Sequence, residues 1–421
     1  MSTTSMSLET LQFLLQHLDA NRRFEIYNRC PALRAIEKTV PLKINSLTLM
    51  GNCVTVNDTT YGFGIIRRYN VGDTPHYVAA SNERGGVDYE VDRYGVRDEL
   101  DAHTVTPGDV DTKVREEPWI PDENFRIRRL ENQIQIYEAR LAQQRERRRN
   151  TARTEKNIEA VRAKLFEYQC RRENIPPNYE HFLQLTTSRT VDEQEQRTIE
   201  RYAHNKKFSE AKKQLTTVLF GDRNSPIYVT NFTFVCSQGV IRLPVGLKLH
   251  VEKLKLGGDV GRILEALAPI FHETSFPLKK LEIDLLQGDN INHPIAQAAR
   301  ILKIMMISLD FQQNILAITN PVVRIIVMML SEQTLEGLIG NWIDLKRPIG
   351  TEHTILIQQE PLFAFEMEDI LKRINGVPID DENVLIPMTA GTQLKVSYGP
   401  FPEFAPRVKW AVRFSTVVTE H

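Results

Sequence analysis

The chain has 421 residues, 41% hydrophobic and 25% charged, with a formal net charge of −1. That composition is globular, excludes a disordered chain and provides for about two to three domains. Near-zero charge excludes steering of the whole molecule toward nucleic acid or an anionic membrane, and no apolar run approaches the roughly 18 residues of a membrane span.

The N-terminus, Met1–Leu8, has neither a basic region nor an apolar run, so no secretory leader is expected. Leu8, Leu11, Leu14, Leu15 and Leu18 follow at spacings of 3, 3, 1 and 3, which is one face of a helix. Ser7 is its candidate N-cap, with Thr10 at the third position. Asp19-Ala20-Asn21 breaks the helix, and a second short one carries Phe24, Ile26 and Tyr27 as far as Cys30-Pro31. Two such helices cannot bury both faces alone, so they need a body or a partner.

A strand pattern comes next: Ile44, Leu47 and Leu49, a turn at Met50-Gly51-Asn52, then Val54 and Val56. The run from Pro41 to Leu49 returns 185 residues later as Pro226 to Phe234, and second strands follow at Cys53–Val56 and Val240–Leu243. This reads as an internal repeat whose two copies share one sheet.

Between the copies lies an insertion. Residues 82–124 carry thirteen acidic and five basic side chains. Asn82–Gly86 followed by Val87, Tyr89 and Val91 suggests a hairpin. Leu130, Ile134, Tyr137 and Leu141 then form a narrow seam on a long helix or helical pair over 127–168, suited to one partner helix. The 191–218 region, a second copy of the chain or the acidic segment could supply that partner. Arg140–Lys156 holds seven basic and two acidic residues.

From residue 247 strand-like runs centre near Val251, Leu281, Ile304, Ile325 and Ile355, at intervals of 30, 23, 21 and 30. Helical patterns lie among them at Ile263–Phe271, Pro294–Ala299, Leu335–Leu345 and Phe363–Ile374. This suits βα units in a parallel array. Val384–Pro387, Leu394–Tyr398 and Lys409–Val418 alternate and read as an antiparallel cap. The expected fold is α/β to α+β, an irregular leucine-rich-repeat-like array. Its expected segments are helices at 1–40, a first strand unit at 41–68, the insertion at 69–225 and the repeat-like body at 226–421.

No chemistry stands out. The ten histidines form no HxH or HExxH, and neither His17, His272 nor His293 has partners at metal-ligand spacing. Leu256-Gly257-Gly258-Asp259-Val260-Gly261 has the wrong glycine spacing for a phosphate loop and reads as a βα turn. Arg145–Arg149 lacks interleaved aromatics and reads as a solvated helix face, so nucleic acid is not an expected ligand. The cysteines Cys30, Cys53, Cys170 and Cys236 stand far apart with no CxxC, the pattern of reduced thiols in a cytoplasmic or nuclear protein. No catalytic residue, cofactor or metal is expected.

Several segments carry a resemblance. They are Leu11 to Leu18, Asp19 with Arg22-Arg23, Asn28 to Arg34 running on to Val40-Pro41-Leu42, Thr104 to Asp109, Phe182 to Thr186, Leu219-Phe220-Gly221, Arg242 to Leu249 and Asn341-Trp342-Ile343. As an ordered set over roughly residues 8–415 they resemble the nematode F-box C family, an F-box-related N-terminus joined to a large domain of undescribed role. The usual Leu-Pro start and the late tryptophan of an F-box are absent here. The resemblance implies docking on the Skp adaptor of a cullin ubiquitin ligase through Leu11, Leu14, Leu15, Leu18, Pro31 and Leu33, with the C-terminal body holding a protein substrate. The competing expectation is a non-ligase interaction protein, self-associating through the 127–168 helix.

Overall fold

The structure is a computed structural model and describes residues 7–70, 72–113, 121–191, 193–235, 239–285, 292–306, 318–358, 370, 372–380, 382–389, 391–400 and 410–419. Its elements begin with α1 (Leu8–His17), α2 (Ala20–Arg29), α3 (Arg34–Thr39), β1 (Lys43–Leu49), β2 (Cys53–Val56), β3 (Thr59–Tyr69), α4 (His76–Glu83), α5 (Glu99–His103) and β4 (Val110–Asp111). They continue with α6 (Glu123–Glu146), α7 (Ala152–Glu173), β5 (Tyr179–Val191), β6 (Gln194–Ala203), α8 (Phe208–Phe220), β7 (Ile227–Phe234), β8 (Val240–Ile241), β9 (Leu249–Gly257), α9 (Val260–Leu267) and β10 (Lys280–Leu285). The last are α10 (Pro294–Ala298), β11 (Ile301–Met306), β12 (Val322–Val327), α11 (Glu332–Asp344), β13 (Glu352–Ile357), β14 (Val377–Asp380), β15 (Asn383–Thr389), β16 (Thr392–Pro400) and β17 (Trp410–Val418). This mixed α/β chain divides into two compact units, one of Met1–Val40, Leu49–Asn224 and Ser237–Leu247, the other of Pro41–Thr48, Ser225–Cys236 and Lys248–His421.

In the first unit β2, β3, β5 and β6 form an antiparallel sheet. β3 and β5 are apolar on one face, where Phe63, Ile65 and Leu183 pack with Val91 and with Phe208 and Ala211 of α8. β6 is the edge and is exposed at all ten positions. Its sequence, mostly charged and polar on both faces, gives no burial pattern, which is why the β5–β6 hairpin is not expected from sequence. The expected hairpin over 82–91 is not formed. α4 runs into the turn instead, and Val87 pairs with Ile65 while Val91 pairs with Arg97, each as a single bridge. Gly86 explains the difference: at φ 93° it lies so close to β3 that a Cβ would stand 2.3 Å from the Ile65 carbonyl oxygen. The segment is drawn onto β3 rather than back on itself. The repeat reading also separates here, because β8 pairs with β4 in a two-stranded ribbon while β2 pairs with β3.

α6 and α7 are antiparallel. Glu123 meets Arg172, Glu138 meets Arg162 and Gln144 meets Thr154, so contacts step in opposite directions along the two helices. A left-handed residue, Arg148 at φ 48°, turns the chain between them.

In the second unit β7, β9, β10, β11, β12 and β13 are parallel neighbours in that order, and β17 joins β13 antiparallel, followed by β16, β15 and β14. β1 lies on the other side of β7, where Tyr228 N donates to Leu42 O at 2.9 Å and Asn231 Nδ2 to Asn45 O at 3.0 Å. The register stacks apolar side chains in rows: Leu254, Leu281, Leu302 and Val323 form one, and Leu256, Ile283, Ile304, Ile325 and Ile355 the next. All are buried. α9 buries Val260, Ile263, Leu264 and Leu267, the 3-1-3 spacing of a helix with one apolar face. The glycine turn before it is a βα turn, with Gly258 at φ 89° and the Asp259 side chain capping Arg262 N at 3.2 Å. The expected helix at Phe363–Ile374 falls mostly outside the described residues.

Candidate protein-docking site

The N-terminal helices are built to be held firmly. Ser7 caps α1 by accepting from Thr10 N at 3.2 Å, and Asp19 caps α2 by accepting from Asn21 N at 2.8 Å. Asn21 reaches the first unit's sheet, donating to Val56 O at 3.0 Å and accepting from Tyr61 OH at 3.0 Å. Beneath α2 and α3 lies a buried ionic cluster. Arg23 Nε donates to Glu37 Oε1 at 2.9 Å, Arg23 Nη2 donates to Val40 O at 2.7 Å, and Arg223 Nη2 donates to Glu37 Oε1 at 3.0 Å. Lys38 Nζ donates to Val218 O at 3.0 Å. Burial first, then the neighbouring Arg223, pulls the Lys38 ammonium down to about 8. One carboxylate thus serves two guanidinium groups, and α8 supplies the other side of the clamp.

On this base the sequence-expected docking residues fall into two groups. Leu15 is 1% exposed and Leu11 and Leu33 are half-buried, so these three anchor the hook rather than present it. A helix of ten residues with leucines at 8, 11, 14, 15 and 18 has an apolar arc too wide for one contact, and the inner part is consumed by packing. Leu14, Leu18 and Pro31 stay outside. Leu8 and Phe13 are exposed too: Leu8 is 56% exposed, Phe13 61%, Leu14 43% and Leu18 38%. The Phe13 and His17 rings lie 4.4 Å apart, tilted at 40° to each other.

The seam residues Leu130, Ile134, Tyr137 and Leu141 are each half-buried on α6, which packs along α7. Within the 191–218 region, 194–203 is the strand β6. The arginine run sits at the end of α6 and its turn, exposed, with Arg145 paired to Glu155 at 3.0 Å.

Two features of the first unit have no counterpart in the sequence reading. A cleft of about 1250 Å³ lies between α2 and α8 over β3, β5 and β6, with Leu185, Leu215 and Val218 among its apolar lining and Arg22, Arg29, Glu200 and Lys206 among its polar lining. The Asp109 side chain is completely buried and accepts from Thr106 N at 2.8 Å, Lys213 Nζ at 3.0 Å and Arg242 Nη1 at 2.9 Å. Burial works to raise this carboxyl, but those donors together hold it below the usual carboxylate range. The Thr106-Pro107-Gly108-Asp109 turn is the one signal in the sequence that could point to it. Among the described residues no group of three or more His, Cys, Asp or Glu could hold a metal ion, and no helix is long and apolar enough to cross a membrane.

A family model described as a domain of unknown function (DUF3557) matches residues 207–359. The match runs from α8 through the parallel strands to β13 and leaves out the N-terminal helices and the α6–α7 hairpin. No curated protein matches the chain.

Proposed function

We propose that this protein is an interaction module, an F-box-related substrate receptor or scaffold in ubiquitin-dependent turnover, with α1 as its adaptor-docking element. The observation that carries this is the face of α1. Leu14, Leu18, Leu8 and Phe13 are left in water on and beside a helix that is otherwise capped by Ser7 and anchored through Leu15. Several exposed large apolar side chains on one short helix suit a protein partner. The resemblance of the N-terminal segments to an F-box supplies the partner class, a Skp-type adaptor of a cullin ligase. The second unit then offers the outward sheet face as the substrate surface. Across adjacent strands that face presents Lys255, Glu282, Lys303, Arg324 and, one strand beyond Thr354, Arg413.

The test is calorimetric titration of the full chain with a purified Skp-type adaptor, wild type against Leu14→Asp with Leu18→Asp. Binding that falls by about a hundredfold or more in the variant, as expected for loss of two anchor leucines, with melting unchanged, supports the reading. A wild-type chain that does not bind the adaptor overturns it. One observation favours a non-ligase, self-associating protein instead: β6 is a ten-residue edge exposed throughout, a ready template for pairing with a second copy. Sedimentation across a range of protein concentrations decides that point, since a monomer at every concentration removes this second reading.

A further inference from the structure

A second cavity of the first unit has a different character from the cleft beside α2. It has a volume of about 690 Å³ and opens over β3, among α4, the 89–97 segment, α6 and α7. Six cations line it, Arg67, Arg84, Arg97, Arg126, Arg129 and Lys164, against two carboxylates, Glu99 and Glu167, leaving an excess of four positive charges. The carboxylates are already committed. Glu99 takes Arg97 at 3.0 Å and Arg126 at 3.3 Å, and Glu167 takes Arg67. Arg84, Arg129 and Lys164 make no salt bridge among the described residues and lie exposed at the mouth.

The floor is built rather than incidental. Arg67 is held on both ends of its guanidinium, by Glu167 and by Gly95 O at 3.0 Å, with Glu167 buried and Arg67 half-buried. Gly95, at φ 86°, adopts the left-handed backbone that favours glycine, with its carbonyl turned to Arg67. Arg97 lies over the Tyr89 ring, 4.6 Å from its centroid, which fixes one wall. Burial raises the Glu167 carboxyl, and Arg67 opposes that rise. A concave, low-dielectric wall with one sign of charge concentrates counter-ions, and the volume falls within the roughly 300–1,000 Å³ of ligand pockets.

We infer that this cavity is a binding site for a small compound carrying two or more phosphate groups. Each phosphate monoester brings about two negative charges, so two match the excess of four, whereas one leaves half of it uncompensated. Guanidinium forks suit phosphate oxygens in pairs. Enclosure by two helices suits a compact ligand rather than a nucleic acid strand. A singly phosphorylated protein segment would bring too little charge.

The experiment is calorimetric titration of the full chain with pyrophosphate, orthophosphate, sulfate and a serine-phosphorylated peptide, in low and physiological salt. Pyrophosphate is expected to bind more tightly than the other three and to weaken with salt. Arg84→Gln with Arg129→Gln should lower its affinity by about tenfold or more, with helicity and melting retained, while Arg145→Gln, outside the cavity, should leave it unchanged. Should the double variant lose helicity, Lys164→Gln is read by the same criterion. The inference fails if pyrophosphate binds no more tightly than sulfate, if the phosphopeptide binds best, or if removing the mouth cations has no effect.

Discussion

In the second unit the burial of a side chain follows from its strand position. Leu281 pairs with Leu254 and Leu302, and Ile283 with Leu256 and Ile304, so each row repeats its neighbour and none of these row residues depends on one distant partner. In the first unit the deepest polar groups depend on such partners. Glu37 is held by Arg23, fourteen positions away, and by Arg223, 186 positions away. Asp109 is held by Lys213 and Arg242, more than a hundred positions away. A repeated apolar row loses only area and a cavity when one member is cut. A buried ion pair that loses one partner leaves a desolvated charge behind.

The largest effect should therefore come from Glu37→Gln. It strips the shared carboxylate from Arg23 and Arg223 while both stay buried, at a cost of about 3–5 kcal/mol. Leu281→Ala in the second unit should cost about 2–5 kcal/mol, spread by how far the rows can close. Urea unfolding followed by circular dichroism measures both. Arg23→Met, Glu37→Leu and Arg223→Met together should recover most of the loss, because no charge is then left buried. A triple variant as unstable as Glu37→Gln would show that hydrogen bonds to Val40 O and Leu219 O, and not the charges, hold the clamp.

Two buried groups, one in each unit, should also answer pH in opposite directions. His353 in the second unit is buried, its ring edge-on to Trp342 at 4.7 Å, and burial and then Arg347 depress its pKa from 6.5 to about 4. A depressed histidine is neutral in the fold and charged when unfolded, so its contribution is complete above about 6.5 and is lost as pH falls toward 4. Glu167 in the first unit is raised from 4.5 to about 7, chiefly by burial. Its contribution is complete below about 4.5 and is lost as pH rises through 7. Each tenfold difference in proton affinity between folded and unfolded chain corresponds to about 1.4 kcal/mol at most. His353→Gln should flatten the acid side of the stability profile and Glu167→Gln the neutral side. A profile unchanged by either substitution removes the corresponding assignment.

Legibility in the sequence divides along the same line. The strands near Val251, Leu281, Ile304, Ile325 and Ile355 are readable because period-two apolar runs recur at similar intervals, and the pairing of β1 beside β7 is readable because two runs match. The α6 seam is readable as a seam, but its partner is not, since α7 resumes the same weak pattern only after a polar turn. In α1 the leucine face is plain, yet its division into an anchoring and an outward part depends on what packs beneath. The clamp on Glu37, the contacts of Asp109 and the cationic cavity leave no comparable pattern. Charges that meet across a hundred positions look, in sequence, like any solvated charge, and β6, exposed on both faces, has no alternation to read.

The smallest effect should come from the arginine-rich end of α6. Arg145 and Glu155 are 3.0 Å apart, but their side chains are 64% and 46% exposed, so water competes for both and each gives up side-chain freedom to meet. Pairs of this kind contribute about 0–1 kcal/mol and less as salt rises. The α6–α7 hairpin has other ties, Gln144 with Thr154 and Glu138 with Arg162, and buries Ile127, Ile158 and Val161. Arg145→Ala should therefore change unfolding free energy by less than about 1 kcal/mol, and the difference should shrink further in high salt. Ile134→Asp, which puts a charge into the half-buried seam, should exceed it clearly and lower helicity. Equal losses from the two would mean that the hairpin is held by its charges, and the contrast between an ion-clamped base and an apolar-seamed hairpin within the first unit would fall with it.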